Sequence, residues 1–149
     1  MNKPERFYNQ NLKELKSQIG NKPLNNLDLD ILGKHYFGRK YIGTFSQDNV
    51  LRFLENKSMF VFNVDTKKMK GSHWVAAYVN NNIVYLYDSF GRTSQNLIPI
   101  FIKNLKNMKY VDSDYDAEQK GFKSVDCGHR CISWLRVVKD LGVNSALKI

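Results

Sequence analysis

Four side chains in this sequence are of the types that nucleophilic catalysis uses, and they occur in the order His73, Asp88, Gln119 and Cys127. Cys127 lies at the predicted start of a helix. Unpaired N–H groups and the positive end of the helix dipole favour a thiolate over a thiol at that position. An imidazolium beside the thiolate would stabilise it further as an ion pair. Cys127 is therefore the candidate nucleophile, and His73 is the candidate base.

His73 and Asp88 belong to two neighbouring predicted strands. His73 opens the first strand, Asp88 closes the second, and a tight turn at residues 80–82 joins them as a hairpin. Because the chain reverses its direction there, the start of one strand lies beside the end of the other. A carboxylate in that place can accept a hydrogen bond from one imidazole nitrogen and so orient the other nitrogen toward a nucleophile.

The start of the last helix and the polar loop before it supply the other parts of a site for acyl transfer. The Cys127 backbone N–H and the Gln119 side-chain amide are natural donors to an oxyanion. Asp126 is predicted to cap the helix through its side chain, and Gly128 leaves room for a substrate. Cys131, one turn further on, is predicted to be a small core residue. Each residue type alone has an ordinary structural role, whereas the combination points to catalysis.

Around these residues the sequence resembles a known family of enzymes. The segments Gly71-Ser72-His73-Trp74, Tyr87-Asp88-Ser89-Phe90-Gly91 and Asp126-Cys127-Gly128, with Gln119 before the last, resemble the adenovirus-type (adenain-like) processing proteases. That family lies within the superfamily of ubiquitin-like-protein-specific cysteine proteases. The resemblance covers about residues 23–141. The chain order His, Asp, Gln, Cys differs from that of papain-like enzymes, in which the cysteine comes first.

The resemblance implies hydrolysis of peptide bonds through a thioacyl-enzyme. By analogy with the family, Cys127 attacks the carbonyl carbon and His73 carries protons. Asp88 orients His73, and Gln119 binds the oxyanion together with the Cys127 N–H. The implied fold is the cysteine-protease fold of the adenain and ubiquitin-like protease type, with the cysteine at the N-terminus of a core helix.

The resemblance also implies a class of substrates. Viral members of the family cleave capsid and core precursor polypeptides at glycine-containing sites, in a groove walled by aromatic side chains. Trp74 and Gly128 are therefore candidate substrate-binding residues. Two alternatives stay open at this point. One is an isopeptidase of the same fold that removes ubiquitin or a SUMO-like modifier, and the other is an inactive relative reused as a DNA-binding capsid component.

The charge of the chain indicates a polyanionic partner. Its 149 residues include 23 Lys and Arg against 14 Asp and Glu, which gives a formal net charge of +9. Some viral members of the family use DNA as an activator, so DNA is an expected partner. Lys67, Lys68 and Lys70 are the candidate nucleic-acid contacts, and a solvated loop is the equally weighted alternative for these lysines.

The two cysteines of the sequence fit neither a disulfide framework nor a zinc site. Their close spacing cannot staple a fold, so we expect a reducing compartment. The family resemblance implies that this compartment is the host cell cytoplasm or nucleus at the site of virus assembly, or that the protein is packaged in the virion. Cys127, His129 and Cys131 cannot converge on one zinc ion from a single helix. We therefore expect no metal and no cofactor required for the chemistry. We also expect a monomer without a secretory leader or a membrane contact.

Hydrophobic periodicity places the candidate residues on an α+β framework. It predicts helices at 4–19, 26–36, 94–107 and 127–141 and strands at 41–45, 59–64, 73–79, 83–87 and 109–111. Pro99 is expected either to kink the third of these helices or to mark its first turn. The central strands are nearly continuous apolar runs, so a sheet covered by helices on both faces is expected. We predict one domain over residues 1–149 with a central, mostly antiparallel sheet. The N-terminal helix, within residues 1–22, lies outside the strongest resemblance.

Overall fold

Helices occupy both ends of the chain and strands occupy most of its middle, as the sequence predicts. The computed structural model describes residues 2–50, 54–66, 73–113, 117–119 and 125–149. The helices are α1 (Lys3–Ile19), α2 (Asn26–Phe37), α3 (Ser94–Leu97), α4 (Pro99–Asn104), α5 (Cys127–Leu141) and α6 (Val143–Ala146), with a 3₁₀ turn at Gly38–Lys40. The strands are β1 (Tyr41–Ser46), β2 (Met59–Asn63), β3 (Trp74–Asn80), β4 (Ile83–Tyr87) and β5 (Lys109–Asp112). The chain is therefore an α+β protein.

The five strands form one mixed sheet in the order β1-β2-β3-β4-β5. The pairs β2–β3 and β3–β4 are antiparallel, whereas β1–β2 and β4–β5 are parallel. The prediction of a mostly antiparallel sheet therefore needs correction, because the two kinds of pairing are equal in number. The physical reason lies in the connections. A tight turn reverses the chain between β3 and β4, whereas α3 and α4 return it to the other end of the sheet before β5 begins.

The predicted hairpin of β3 and β4 is confirmed. Asn80 pairs with Ile83 at its closed end, and Asn81 and Asn82 between them have φ angles of 51° and 64°. Two consecutive left-handed residues give a turn whose twist matches the flanking strands, and asparagine adopts this backbone conformation more readily than most residues. The hairpin thereby brings the start of β3 beside the end of β4.

The sheet has a hydrophobic core on each face, as the apolar strand runs predict. All five residues of β2 are buried, and successive side chains enter opposite cores. The face against which α1, α2 and α5 pack is called the α5 face, and its core includes Val61 and Trp134. The opposite face is called the α4 face, and its core includes Phe60, Phe62 and Phe101.

The helix predicted over residues 94–107 is divided into α3 and α4. Ile98 separates them, with φ −134° and ψ 57°, and Pro99 begins α4. A proline has no backbone N–H, and its ring disfavours the helical conformation of the residue before it. The break therefore follows directly from Pro99. The short helix α6, after α5, is not predicted by the sequence pattern.

The N-terminal helix α1 is confirmed and belongs to the core. Asn2 caps it by accepting a hydrogen bond from the Glu5 backbone N–H at 2.8 Å. Tyr8, Leu12 and Leu15 are buried in the core of the α5 face, where α1 packs against α5. Across the described ranges, none of the helices combines the length and apolar character that crossing a membrane requires.

Candidate active site

His73 and Asp88 lie side by side at the open end of the hairpin. His73 directly precedes β3, Asp88 directly follows β4, and each is only 7% exposed. The His73 Nε2 atom lies 2.6 Å from Asp88 Oδ1. Because a carboxylate oxygen accepts, Nε2 is the protonated nitrogen in this contact. Cys127 also interacts with the His73 ring, and both its hydrogen bond and its charge raise the pKa of His73.

A tight loop after β4 holds the Asp88 carboxylate in place. Gly91, with φ 68°, closes a turn in which its N–H donates to the Asp88 carbonyl oxygen at 2.8 Å. The Phe90 N–H donates to Asp88 Oδ1 at 3.3 Å, and the Arg92 N–H donates to Oδ2 at 3.0 Å. The Arg92 guanidinium adds bonds of 2.9 and 3.3 Å to the two carboxylate oxygens.

Charge and burial act in opposite directions on this histidine and aspartate. Burial by itself would lower the pKa of His73, but hydrogen bonds and charges from Asp88 and Cys127 outweigh it and raise the pKa above its ordinary value of 6.5. Burial would raise the pKa of Asp88, but hydrogen bonds from His73 and Arg92 outweigh it and hold the pKa well below its usual range. The site therefore favours an imidazolium beside a carboxylate.

Cys127 is the first residue of α5 and is partly exposed, whereas Cys131 is fully buried, as predicted for a core residue. The predicted cap of this helix needs correction. Asp126 occupies the N-cap position, but its side chain makes no capping hydrogen bond. Its carboxylate instead pairs with Lys16 at 2.6 Å and with Arg130 at 3.0 Å. The Asp126 carboxylate therefore does not bind the backbone N–H groups in the first turn of α5. N–H groups in this position are the kind of donor that an oxyanion needs.

Gln119 is attached to the residue after Asp88. The Ser89 hydroxyl donates to Gln119 Oε1 at 2.6 Å, and the Ser89 carbonyl oxygen accepts from the N–H groups of Glu118 and Gln119 at 2.9 Å each. The Ser89 hydroxyl therefore fixes the orientation of the Gln119 amide through its Oε1 atom. One connected set of contacts therefore runs from Cys127 through His73, Asp88 and Ser89 to Gln119.

Two members of this arrangement carry no predicted role from the sequence. Arg92 binds both oxygens of Asp88, and its guanidinium lies 5.0 Å from the centre of the Phe90 ring, which in turn lies 5.2 Å from the His73 ring. Ser89 fixes the amide of Gln119. In the sequence, the feature that could have indicated the role of Arg92 is its position four residues after Asp88. Ser89 stands within the motif that carries the family resemblance, but its type alone does not predict a partner.

The two predicted substrate contacts have structural partners of their own. Trp74 is partly buried, and its Nε1 donates to the Leu24 carbonyl oxygen at 2.9 Å. A Cβ atom added to Gly128 would lie 3.2 Å from Leu24 Cβ and 3.4 Å from Leu29 Cδ2. Gly128 therefore permits the close approach of α5 to the segment around α2. The roles of Trp74 and Gly128 in substrate binding stay predictions.

The predicted nucleic-acid contacts Lys67, Lys68 and Lys70 lie outside the described residues. His129, the middle residue of the zinc pattern that the sequence argument rejected, is buried, and its Nε2 lies 2.7 Å from the Gly20 carbonyl oxygen. Burial lowers the pKa of His129. In the parts of the chain that the structure describes, no group of three or more His, Cys, Asp or Glu side chains is arranged to hold a metal ion.

Comparison with known proteins does not assign the chain to a family. No family model matches the chain, and a search of curated proteins found no match. The residues of the site and their contacts therefore carry the functional interpretation.

Proposed function

We propose that this chain is a cysteine endopeptidase of the adenain type, within the superfamily of ubiquitin-like-protein-specific proteases. The observation that supports the proposal most directly is the double contact of His73. One ring nitrogen lies 2.6 Å from the Asp88 carboxylate, and the ring also hydrogen-bonds Cys127. A thiol, an imidazole and a carboxylate in this relation are the parts of an activated nucleophile.

The surrounding architecture supports the same fold assignment. Cys127 begins α5, whose side chains pack into the core of the α5 face. His73 and Asp88 lie at one end of the hairpin, and Gln119 is attached beside Asp88 through Ser89. The chain order His, Asp, Gln, Cys and the position of the cysteine at a helix start agree with the family that the sequence resembles.

In the acylation step the Cys127 thiolate attacks the carbonyl carbon of the scissile peptide. A C–S bond forms, and the carbonyl electron pair moves to the oxygen. The first-turn N–H of Cys127 and the Gln119 amide donate hydrogen bonds to that oxyanion. When the intermediate collapses, the C–N bond breaks, and the His73 imidazolium gives its proton to the leaving amine.

In the deacylation step water hydrolyses the thioester. The neutral His73 takes a proton from water as the oxygen attacks the thioester carbon. The C–S bond then breaks, which releases the carboxylic acid and regenerates the thiolate beside the imidazolium. Asp88 stays ionised throughout and keeps the ring oriented, because its bonds to His73 and Arg92 hold its pKa far below neutrality.

The substrate part of the proposal comes from the family resemblance and the charge. We propose viral capsid or core precursor polypeptides with glycine-containing cleavage sites as substrates. The formal net charge of +9 suits DNA as an activating partner. No cofactor is needed for the steps described, since the chain itself supplies the nucleophile, the proton carrier and the oxyanion donors.

The test measures cleavage of candidate substrates. The wild-type protein is incubated with a Gly-Gly-containing peptide, with candidate capsid precursors and with diubiquitin, and each product is mapped by mass spectrometry. We expect the wild-type protein to cleave the peptide and a precursor. In Cys127→Ala we expect both cleavage rates to fall by about 10⁴-fold or more. In the matched control Cys131→Ala we expect both rates to be retained. Persistent cleavage in Cys127→Ala would falsify the site. If only diubiquitin is cleaved, the assignment as an endopeptidase is wrong and the alternative assignment as an isopeptidase is supported.

A further inference from the structure

The N-terminal helix α1 contacts the residues that immediately precede two members of the site. Tyr87 precedes Asp88, and the Tyr8 hydroxyl lies 2.6 Å from the Tyr87 hydroxyl. Asp126 precedes Cys127, and the Lys16 ammonium lies 2.6 Å from the Asp126 carboxylate. Tyr8 and Lys16 are two turns apart on α1. One rigid helix therefore reaches both the strand that ends at the orienting carboxylate and the helix that begins at the nucleophile.

Arg130 joins these two contacts into one network. Its Nε donates to Asp126 Oδ1 at 3.0 Å, and its second guanidinium branch donates to the Tyr8 hydroxyl at 3.2 Å. Tyr8 and Tyr87 are each 1% exposed, and Asp126 is 4% exposed. A buried network of this kind is strongly directional, because breaking one partner leaves a buried charge or hydroxyl poorly paired.

The charge of Asp126 gives the network an electrostatic role as well. The Asp126 carboxylate directly precedes Cys127 in the chain, and its negative charge repels further negative charge nearby. Among the residues that the structure describes, Lys16 from α1 and Arg130 from α5 pair with Asp126, and the nearby His129 also interacts with its charge. Lys16 and Arg130 offset the negative charge of Asp126 and keep its side chain turned away from the first turn of α5.

We infer that α1 is a positioning element of the active site, in which Tyr8 holds the end of β4 and Lys16 holds the start of α5. Its catalytic consequence rests on the proposed function, whereas its effect on the reactivity of Cys127 does not. Lys16 and Tyr8 act through Asp126 and Tyr87 and do not touch the reacting atoms. Helix α1, which lies outside the family resemblance, thereby has a role in positioning the active site.

The experiment measures alkylation of Cys127 by iodoacetamide between about pH 5 and pH 9, because this rate follows the thiolate content and needs no substrate. Cys131 is fully buried, and peptide mapping verifies that the label is on Cys127. For Lys16→Met we expect alkylation about tenfold slower at about pH 6, where the charge of Asp126 is less well offset. We expect kcat for a peptide substrate to fall by a similar factor with little change in KM, and Lys16→Arg to restore both.

The control is Glu14→Gln, which removes a different contact between the same helices. Glu14 pairs with Arg136 at 3.9 Å, away from the first turn of α5. We expect its alkylation and cleavage rates to stay within about twofold of wild type. Tyr8→Phe is the second test variant, because it keeps the ring and removes only the hydroxyl.

The outcomes separate this inference from the proposed function. Wild-type rates in both Lys16→Met and Tyr8→Phe would overturn the inference, as would an equal loss in Glu14→Gln. If circular dichroism shows that Lys16→Met is unfolded, the same criterion is applied to Tyr8→Phe. If the wild-type protein cleaves no substrate but Lys16→Met still loses Cys127 reactivity, the proposed function fails and the positioning role stands.

Discussion

On the α4 face of the sheet, aromatic and aliphatic side chains pack against one another, whereas the core of the α5 face also borders hydrogen-bonded and charged groups. Phe62 and Phe101 on the α4 face have ring centres 4.6 Å apart. On the α5 face, the Tyr87 ring stacks on Trp134 at 5.4 Å, and its hydroxyl meets that of Tyr8. The ion pair of Asp126 with Arg130 lies on the same side of the fold.

This difference shows that the α4 face mainly stabilises the fold, whereas the α5 face also fixes the positions of the site residues. Apolar packing contributes stability and tolerates changes of detail as long as volume is conserved. Buried ion pairs contribute less net stability, because desolvation opposes the attraction between charges, but they demand one geometry. The α5 face uses such contacts beside Cys127 and Asp88, where the relative position of two chain segments decides the chemistry. Substitutions on each face test whether stability and activity can be changed separately.

The largest effect is expected on the chemistry from Asp88→Asn. The amide keeps the shape of the side chain but loses the charge that stabilises the imidazolium of His73 and fixes its tautomer. We expect kcat to fall by about 10³- to 10⁴-fold with the fold intact. The matched control is Asp112→Asn, since Asp112 is a carboxylate that binds Ser94 at the other end of the loop after β4. Equal losses in the two variants would refute a specific role for Asp88.

The next effect is expected on stability from Phe62→Ala. The Phe62 side chain is fully buried on the α4 face, between Phe60 and Phe101. Its removal leaves a cavity, and we expect the free energy of unfolding to fall by about 3–5 kcal/mol in denaturant titrations. The kcat of the protein that remains folded is expected to be unchanged. A tenfold loss of kcat at full folding would show that the two faces are not separable.

A smaller loss of activity is expected from Ser89→Ala. The variant removes the hydroxyl that orients Gln119, so the amide donates less well to the oxyanion. We expect kcat to fall by about tenfold, less than the loss from deleting an oxyanion donor itself. The matched control is Ser133→Ala, another buried serine, whose hydroxyl donates to the His129 carbonyl oxygen within α5 at 2.8 Å. Indistinguishable kcat values would contradict the assignment of Ser89.

The smallest effect is a pH dependence of stability that differs between two buried histidines. The pKa of His73 is raised, so its contribution to stability is full below the unfolded pKa near 6.5 and is lost as the pH rises through the folded value. The pKa of His129 is lowered by burial, so its contribution is present above 6.5 and is lost as the pH falls through its folded value.

Glutamine substitutions therefore have opposite expected pH profiles. The stability difference between wild type and His73→Gln decreases as the pH rises, whereas the difference between wild type and His129→Gln increases. Denaturant titrations across neutral pH measure both. If both stability differences change with pH in the same direction, the opposite pKa shifts of the two histidines are contradicted. Those shifts follow from their different partners, which are Asp88 for His73 and the Gly20 carbonyl oxygen for His129.

Local patterns in the sequence predict most of the elements. The apolar spacing gives α1, α2 and α5 within one or two residues, and the asparagines at 80–82 give the hairpin turn. The break at Pro99 is a local effect as well, because a proline inside a helical pattern kinks the helix or marks a first turn. The parallel pairing of β1 with β2 and of β4 with β5 is different, because strand partners depend on how long connections cross the fold.

The sequence by itself determined the candidate residues, their order and the elements that carry them, because residue type, periodicity and motif are local properties. The tertiary structure decided which of those side chains touch. It pairs the Asp126 carboxylate with Lys16 and Arg130 rather than with the first-turn N–H groups of α5. It also places Tyr8 against Arg130, 122 positions away along the chain. Such partners are set by the packing of α1 on α5, and packing depends on the whole chain at once.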